Sequence, residues 1–194
     1  MAGCDVKGRF WSVTAKDSGS THDSQAWGNS ALADAISKGK LHPIFFIIGD
    51  EAFPNSDQVL TPYPGRGLGE WKDAFNYWLS HSRQCIERAF GMLVQRWGIF
   101  WRKFTFSYDR WPTVITLCCK LHNFCLDRKV PVPTHRHNED HVDGDAPCVI
   151  DNNDAVNDSF ARERARGTRR EHITAKLEME GRRRPPHAQV NSRK

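Results

Sequence analysis

No apolar run in the 194 residues approaches the ~20 that cross a bilayer, so no membrane-spanning helix is expected. Met1 to Asp5 carry neither the charged start nor the apolar core of a secretory leader. The six cysteines (Cys4, Cys85, Cys118, Cys119, Cys125 and Cys148) form no C-x-x-C pair, and three fall within one predicted helix. That pattern speaks against a disulfide framework and for reduced thiols in cytosol or nucleus. No internal repeat is visible. Aromatic residues also run out early: Phe160 is the only Phe or Trp after residue 127. The packed unit is therefore expected over residues 1–128. An acidic, disordered linker is expected over 129–157 and a basic tail with a short helix over 158–194. The net charge of +5 permits a polyanionic partner without requiring one.

The stretch that organises the chain is Phe75 to Trp97. Phe75, Trp78, Leu79, Ile86, Ala89, Phe90, Leu93 and Trp97 fall at the spacing of an amphipathic helix. Glu87 sits roughly 110° from the centre of this stripe at ~100° per residue, at the edge of the buried face. It reads either as a surface partner of Arg83 one turn earlier or as a carboxylate lining a cleft. The second candidate acid is Asp50. Pro43 to Ile48 is a short apolar run that reads as a buried central strand ending in Gly49 and Asp50. In α/β folds, sites lie at the carboxyl ends of strands. Two carboxylates converging there would repel unless a divalent cation neutralised them, and hard oxygen ligands suit Mg²⁺ or Mn²⁺.

Elsewhere the expectations are local. Residues 1–14 read as two strands joined by a turn, with Asp5 as turn former. The polar stretch 17–30 reads as a loop; within it His22 and Asp23 are either a helix cap with a nearby imidazole or groups reaching the cleft of Asp50. Residues 30–37 read as a short helix ended by Gly39. Residues 51–73 are a Pro- and Gly-rich connection. Its Tyr63, Arg66, Trp71 and Lys72 suit stacking and phosphate pairing; the alternative is that Tyr63 and Trp71 pin the loop to the core. Pro112 opens a helix that carries Cys118, His122 and Cys125 on one face, a core face in preference to a metal site short of its fourth ligand.

The tail begins with Pro131, Pro133 and a cluster of His135, His137 and His141, read as solvated. Residues 139–158 carry seven acids and no Lys or Arg, whereas 159–194 carry eleven Lys/Arg against four acids. A charged helix is expected over 158–180, capped by Asp158 or Ser159. Arg182, Arg183 and Arg184, followed by two prolines, read as a nuclear-import or phosphate-binding patch, or as a solvated tail with no specific role.

Five blocks together carry a family resemblance: CDVKGRF at 4–10, GSTHDSQAW at 19–27, IIGDEAFP at 47–54 with LTPY at 60–63, RQCIERAFGMLVQRW at 83–97, and CCKLHNF at 118–124. In this order and spacing the chain resembles Harbinger-type transposases and the nuclease-like proteins domesticated from them. GTRREHITAKL at 167–177 is similar to a short helix that ends many members. The resemblance implies an α/β, ribonuclease H-like DDE fold and metal-assisted phosphodiester hydrolysis or strand transfer on DNA. It implies that Asp50 and Glu87 are the second and third acids of the triad and Asp23 a further metal-associated carboxylate. The family's first triad Asp lies on a strand upstream of the CDVKGRF block, so the fold is expected to be incomplete at the amino end. Activity is expected to be impaired, because triad members act as a unit.

The functional expectation is a divalent-metal-dependent nuclease-like domain in the nucleus, with the cytoplasm as the alternative. Arg66, Lys72, Arg83, Arg88 and Arg182 to Arg184 are its candidate DNA contacts, and a protein partner would supply DNA recognition. The competing expectations are a catalytically inactive DNA- or protein-binding remnant and a truncated product without a stable fold. A further arrangement has another subunit supply the missing Asp.

Overall fold

A computed structural model of the chain describes residues 1–17, 21–133 and 168–186. The elements in chain order are β1 (Ala2–Cys4), β2 (Phe10–Val13), α1 (Asp23–Gly28), α2 (Ala31–Ser37), β3 (Ile47–Ile48), β4 (Val59–Leu60), α3 (Glu70–Arg96), α4 (Trp111–Asp127) and α5 (Arg169–Met179). This is a mixed helix-and-sheet fold with two small sheets, and no described helix is long and apolar enough to cross a membrane. The expected acidic stretch 139–158, the His135, His137 and His141 cluster and the helix start at Asp158 or Ser159 lie outside the described residues. Two compact units divide the chain. One gathers Met1–Leu32 and Gln84–Asp151, the other Ala33–Arg83 and Asn152–Lys194.

In the first unit, β1 and β2 form an antiparallel hairpin with Ala2 opposite Val13. Asp5 makes the turn: its Oδ1 accepts the N–H groups of Lys7 and Arg9, both at 2.9 Å. Gly8 closes the turn at φ +78°, a conformation that a side chain would strain, and the Met92 methyl lies 3.1 Å from where a Cβ would stand. The hairpin packs on the second half of α3 and on α4 through Phe10, Ala89, Leu93, Cys118 and Cys119. Pro112 sits in the first turn of α4 as expected, where a missing N–H costs nothing. From α4, Asn123 both donates to and accepts from the backbone of Phe10, at 2.7 and 2.9 Å.

The stretch 17–30 is not all loop. Trp27 is buried and anchors the six-residue helix α1, a tertiary contact that overrides a Gly- and Ser-rich local sequence.

The second unit is built on a parallel pair, Ile47 beside Val59 and Ile48 beside Leu60. Helix α2 leads into it and ends on Gly39 at φ +66°, whose N–H bonds Ile36 O while the Lys40 N–H bonds Ala35 O. The expected buried strand over 43–48 is corrected here. Only Ile47–Ile48 is strand, and Phe45 and Phe46 are 61% and 42% exposed. The reason is layering: with two short strands in the sheet, the run outgrows its cover. The carbonyls of Pro43 and Ile44 are taken by the Arg169 side chain instead of by a ladder. Within the connection expected to be irregular, Val59 and Leu60 form a strand and are among the most deeply buried residues described.

Leu60, Phe75 and Leu79 are the core of this unit, and Ile173 and Leu177 of α5 pack on them. Helix α5 starts at Thr168, whose side chain bonds the backbone of Glu171 while the Glu171 carboxylate accepts the Thr168 N–H, a reciprocal capping box. The apolar stripe of α3 thus serves two clusters: Phe75 and Leu79 in one unit, Ala89 and Leu93 in the other.

Candidate functional site

Asp50 leaves the sheet where its pairing stops. The Gly49 N–H makes a bond to Leu60 O at 2.8 Å, and the chain then turns, with Phe53 N–H bonding Asp50 O at 3.0 Å. Gly49 is buried under the Phe53 ring, and a Cβ there would meet that ring at 2.6 Å. The turn fixes where the Asp50 side chain emerges. Its Oδ1 accepts the Glu51 N–H, and its Oδ2 accepts from the Arg83 guanidinium at 3.0 Å. Both side chains are about half exposed, so this is a partly solvated ion pair. Beside it lies a cavity of about 260 Å³ whose wall includes Gly49, Asp50, Asn76, Ser80 and Arg83.

Helix α3 supplies one side of that cavity because Asn76, Ser80 and Arg83 recur at intervals of four and three residues. The Asn76 amide bonds both the N–H and the carbonyl of Tyr63, at 2.8 and 3.0 Å, and so pins the strand exit after β4. The sequence reading missed this residue, since a polar residue on an amphipathic helix carries no local sign of its partner.

The other expected acids stand in the first unit. Asp23 opens α1 and is exposed, and Glu87 is on the exposed side of α3. Among the described residues no group of three or more His, Cys, Asp or Glu gathers in a way that could hold a metal ion. A hard divalent cation takes several oxygen ligands. One carboxylate already paired to a guanidinium does not make such a site, so the residues as arranged do not fit a divalent ion.

The basic candidates fall into two sets. Arg66 is exposed between Gly65 and Gly67, Lys72 stands over the Tyr63 ring at 5.2 Å, and Arg88 is exposed near Cys85 Sγ at 3.8 Å. The tail arginines are engaged within the second unit. Arg183 pairs with Glu70 at 3.1 Å, Arg184 with Asp73 at 3.2 Å, and Arg182 with Glu180 at 2.9 Å. Arg170 lies 4.2 Å from the centre of the Tyr63 ring and donates to Pro62 O. Tyr63 itself packs edge-on against Phe75.

On α4, Cys118 and His122 are core, as the face reading expected, and Cys125 is half-buried. His122 is fully buried and its Nε2 meets Gly8 O at 3.1 Å. Burial pushes the Cys4 thiol up to about 12, with Cys85 and Asp5 adding to the effect, and it pushes Cys119 up to about 11. These thiols stay protonated, and the thiolate is the reactive form. Iodoacetamide at pH 8 is therefore expected to leave Cys4 and Cys119 unlabelled in the folded chain and to label both in denaturant. Mass mapping of the peptides checks this.

The DDE superfamily endonuclease family model matches residues 1–123, the stretch that holds Asp23, Asp50, Glu87 and the β1–β2 hairpin. The chain belongs to that family. It is similar to an Arabidopsis thaliana protein named "Protein ALP1-like", 30% identical over 61% of this chain and 32% of the relative. It is also similar to the human "Putative nuclease HARBI1", 25% identical over 66% of this chain and 37% of the relative, and to its mouse counterpart at 27%. The matched part spans about a third of the length of these curated relatives. No solved structure gives a significant match.

Proposed function

We propose that this DDE-family chain is a nuclease-like domain whose substrate class is DNA, with Asp50 as its principal acid. The reading is supported by one observation above the others: the family match covers Asp50, and that residue leaves a short parallel strand pair beside a cavity walled by a cationic side chain. On this reading the fold is of ribonuclease H-like type and Asp50 and Glu87 are the second and third acids of the family's triad; the family's use of Mg²⁺ or Mn²⁺ would call on Asp23, Asp50 and Glu87, a set that does not gather into a metal-holding group among the described residues. What this chain's own residues do is simpler. Gly49 and the Phe53 turn aim the Asp50 carboxylate, Arg83 neutralises it, and Asn76 holds the wall in place. Arg66, Lys72, Arg83 and Arg88 are the proposed phosphate contacts, with Arg182, Arg183 and Arg184 drawn partly away by their internal pairs. The proposed location is the nucleus, and the proposed partners are DNA and a protein that supplies its recognition.

The second reading is an inactive DNA-binding remnant. It is favoured by the Asp50–Arg83 pair and by the lack of a three-ligand acidic group among the described residues. Weak cleavage is the expected outcome. Supercoiled plasmid incubated with Mn²⁺ should be nicked slowly by the wild type and at least ~10²-fold more slowly by Asp50→Ala and Glu87→Ala, the loss typical when one member of a concerted catalytic set is removed. Cleavage equal in all three proteins overturns the nuclease reading. Salt-dependent DNA binding that survives both substitutions then supports the remnant.

A further inference from the structure

We infer that the aromatic and basic surface of residues 99–111 is a binding site for single-stranded nucleic acid, whose bases stack on Trp101 and Tyr108 and whose phosphates pair with Arg102, Lys103 and Arg110. The site lies wholly in the first unit and goes beyond the reading above, which concerns Asp50. The stretch IFWRKFTFSYDRW holds six aromatic rings and three cations against one acid, Asp109, whose carboxylate accepts from the Ser107 hydroxyl. A core segment turns its large rings inward. Here Trp101 is 54% and Tyr108 51% exposed.

The two exposed rings are anchored. Each belongs to a short 3₁₀ helix, Gly98–Trp101 and Tyr108–Arg110. Trp101 donates its Nε1–H to Val94 O at 2.9 Å, and Tyr108 tilts against Trp111 with ring centres 5.0 Å apart. Half-buried rings link the two helices: Phe100 meets Phe104, which stacks on Phe106 and stands edge-on to Trp111. Trp111 in turn donates its Nε1–H to Phe106 O at 3.1 Å. This interlock fixes the stacking faces before a ligand arrives, so little side-chain entropy is left to lose on binding. Arg102, Lys103 and Arg110 are exposed and enter no ion pair among the described residues. Every base has a face that stacks on an aromatic ring, and the strand that joins the bases is anionic. A strand with unpaired bases uses both kinds of group at once. A duplex hides its base faces and would use the cations alone. An apolar protein surface would cover the rings and leave three cations without counter-charge.

The test is fluorescence anisotropy of a labelled oligothymidylate of about 16 nucleotides, titrated with the whole chain in EDTA so that cleavage plays no part. Trp101→Leu and Tyr108→Leu keep an apolar side chain and remove the stacking face, and each is expected to weaken binding about tenfold. Replacing Arg102, Lys103 and Arg110 together by Gln should lower the slope of log affinity against log salt by about 2, three phosphate contacts at ~0.7 each. A duplex of the same length should bind more weakly and lose little on Trp101→Leu. An oligouridylate arm tells whether the site takes RNA as well as DNA, and ring-dependent binding of either strand supports the inference. A wild-type measurement stands beside these in case a variant misfolds: an iodouracil-substituted oligonucleotide, irradiated on the intact chain, should cross-link to Trp101 or Tyr108 on peptide mapping. No binding by the wild type overturns the inference, as do binding that the variants leave unchanged, a duplex held as tightly as the single strand, and cross-links confined to other residues. Plasmid nicking that depends on Asp50, beside oligothymidylate binding that the ring variants do not alter, sinks this site and leaves the nuclease reading. Ring-dependent binding with no nicking does the reverse.

Discussion

Ending the chain after Gly167 is expected to lower the stability of the second unit by about 3–5 kcal/mol, the sum of two partly buried aliphatic side chains and several half-exposed ion pairs. The residues removed include Ile173 and Leu177, which pack on Leu60, Phe75 and Leu79. They also include Arg169 over the Phe46 ring, Arg170 over Tyr63, Arg183 on Glu70 and Arg184 on Asp73. Leu60 is nearly inaccessible in the intact chain, so its amide should be strongly protected from hydrogen exchange and should lose most of that protection in the truncated one. The double substitution Ile173→Ala and Leu177→Ala separates the apolar share from the ionic share and should cost about half as much. Unchanged protection at Leu60 in the truncated chain would show that the tail is only laid on the surface.

Replacing His122 by Ala is expected to cost the first unit about 2–4 kcal/mol, through the cavity left at a fully buried position and the orphaned carbonyl of Gly8. The same residue carries a pH dependence. Burial holds His122 below the ordinary histidine range; Arg96 pushes it the same way and the bond to Gly8 pulls it back. A neutral folded imidazole and an unfolded one that protonates below about pH 6.5 mean that the unfolded state binds more protons in that window. Stability is therefore fully present above that pH and falls as the pH drops through it, with a slope of up to ~1.4 kcal/mol per pH unit from this one group. His122→Leu, which fills the space without titrating, should lose that part of the slope. Urea melts between pH 5 and 7.5, with the wild type and His122→Leu side by side, check the sign. A wild-type stability that rises on acidification would refute it.

Much of the helical architecture was legible. The spacing of Phe75, Leu79, Ala89 and Leu93 marked α3, Pro112 marked the start of α4, and Asp5 marked the hairpin turn, because each signal is local to its element. What was not legible depends on partners distant in sequence. Phe45 and Phe46 look like strand core until the sheet beside them proves two strands wide. Trp27 makes a helix of a polar stretch only because there is a pocket to bury it. The tail arginines read as an import or phosphate-binding patch or as solvated charge, and no local pattern shows that Glu70, Asp73, Trp71 and Tyr77 await them. At the candidate site, Asp50 was readable from its place after an apolar run. Its pairing with Arg83, 33 residues away, was not.

The paired bonds that Asn76 makes to Tyr63 and Asn123 makes to Phe10 have a chemical lifetime. Each amide donates through its nitrogen and accepts through its oxygen, and spontaneous loss of ammonia would leave a carboxylate that can only accept. The Phe10 and Tyr63 carbonyls would then face a negative charge where a donor had been. Such a loss at either place would add one unit of negative charge and loosen the hairpin or the strand exit that the amide holds.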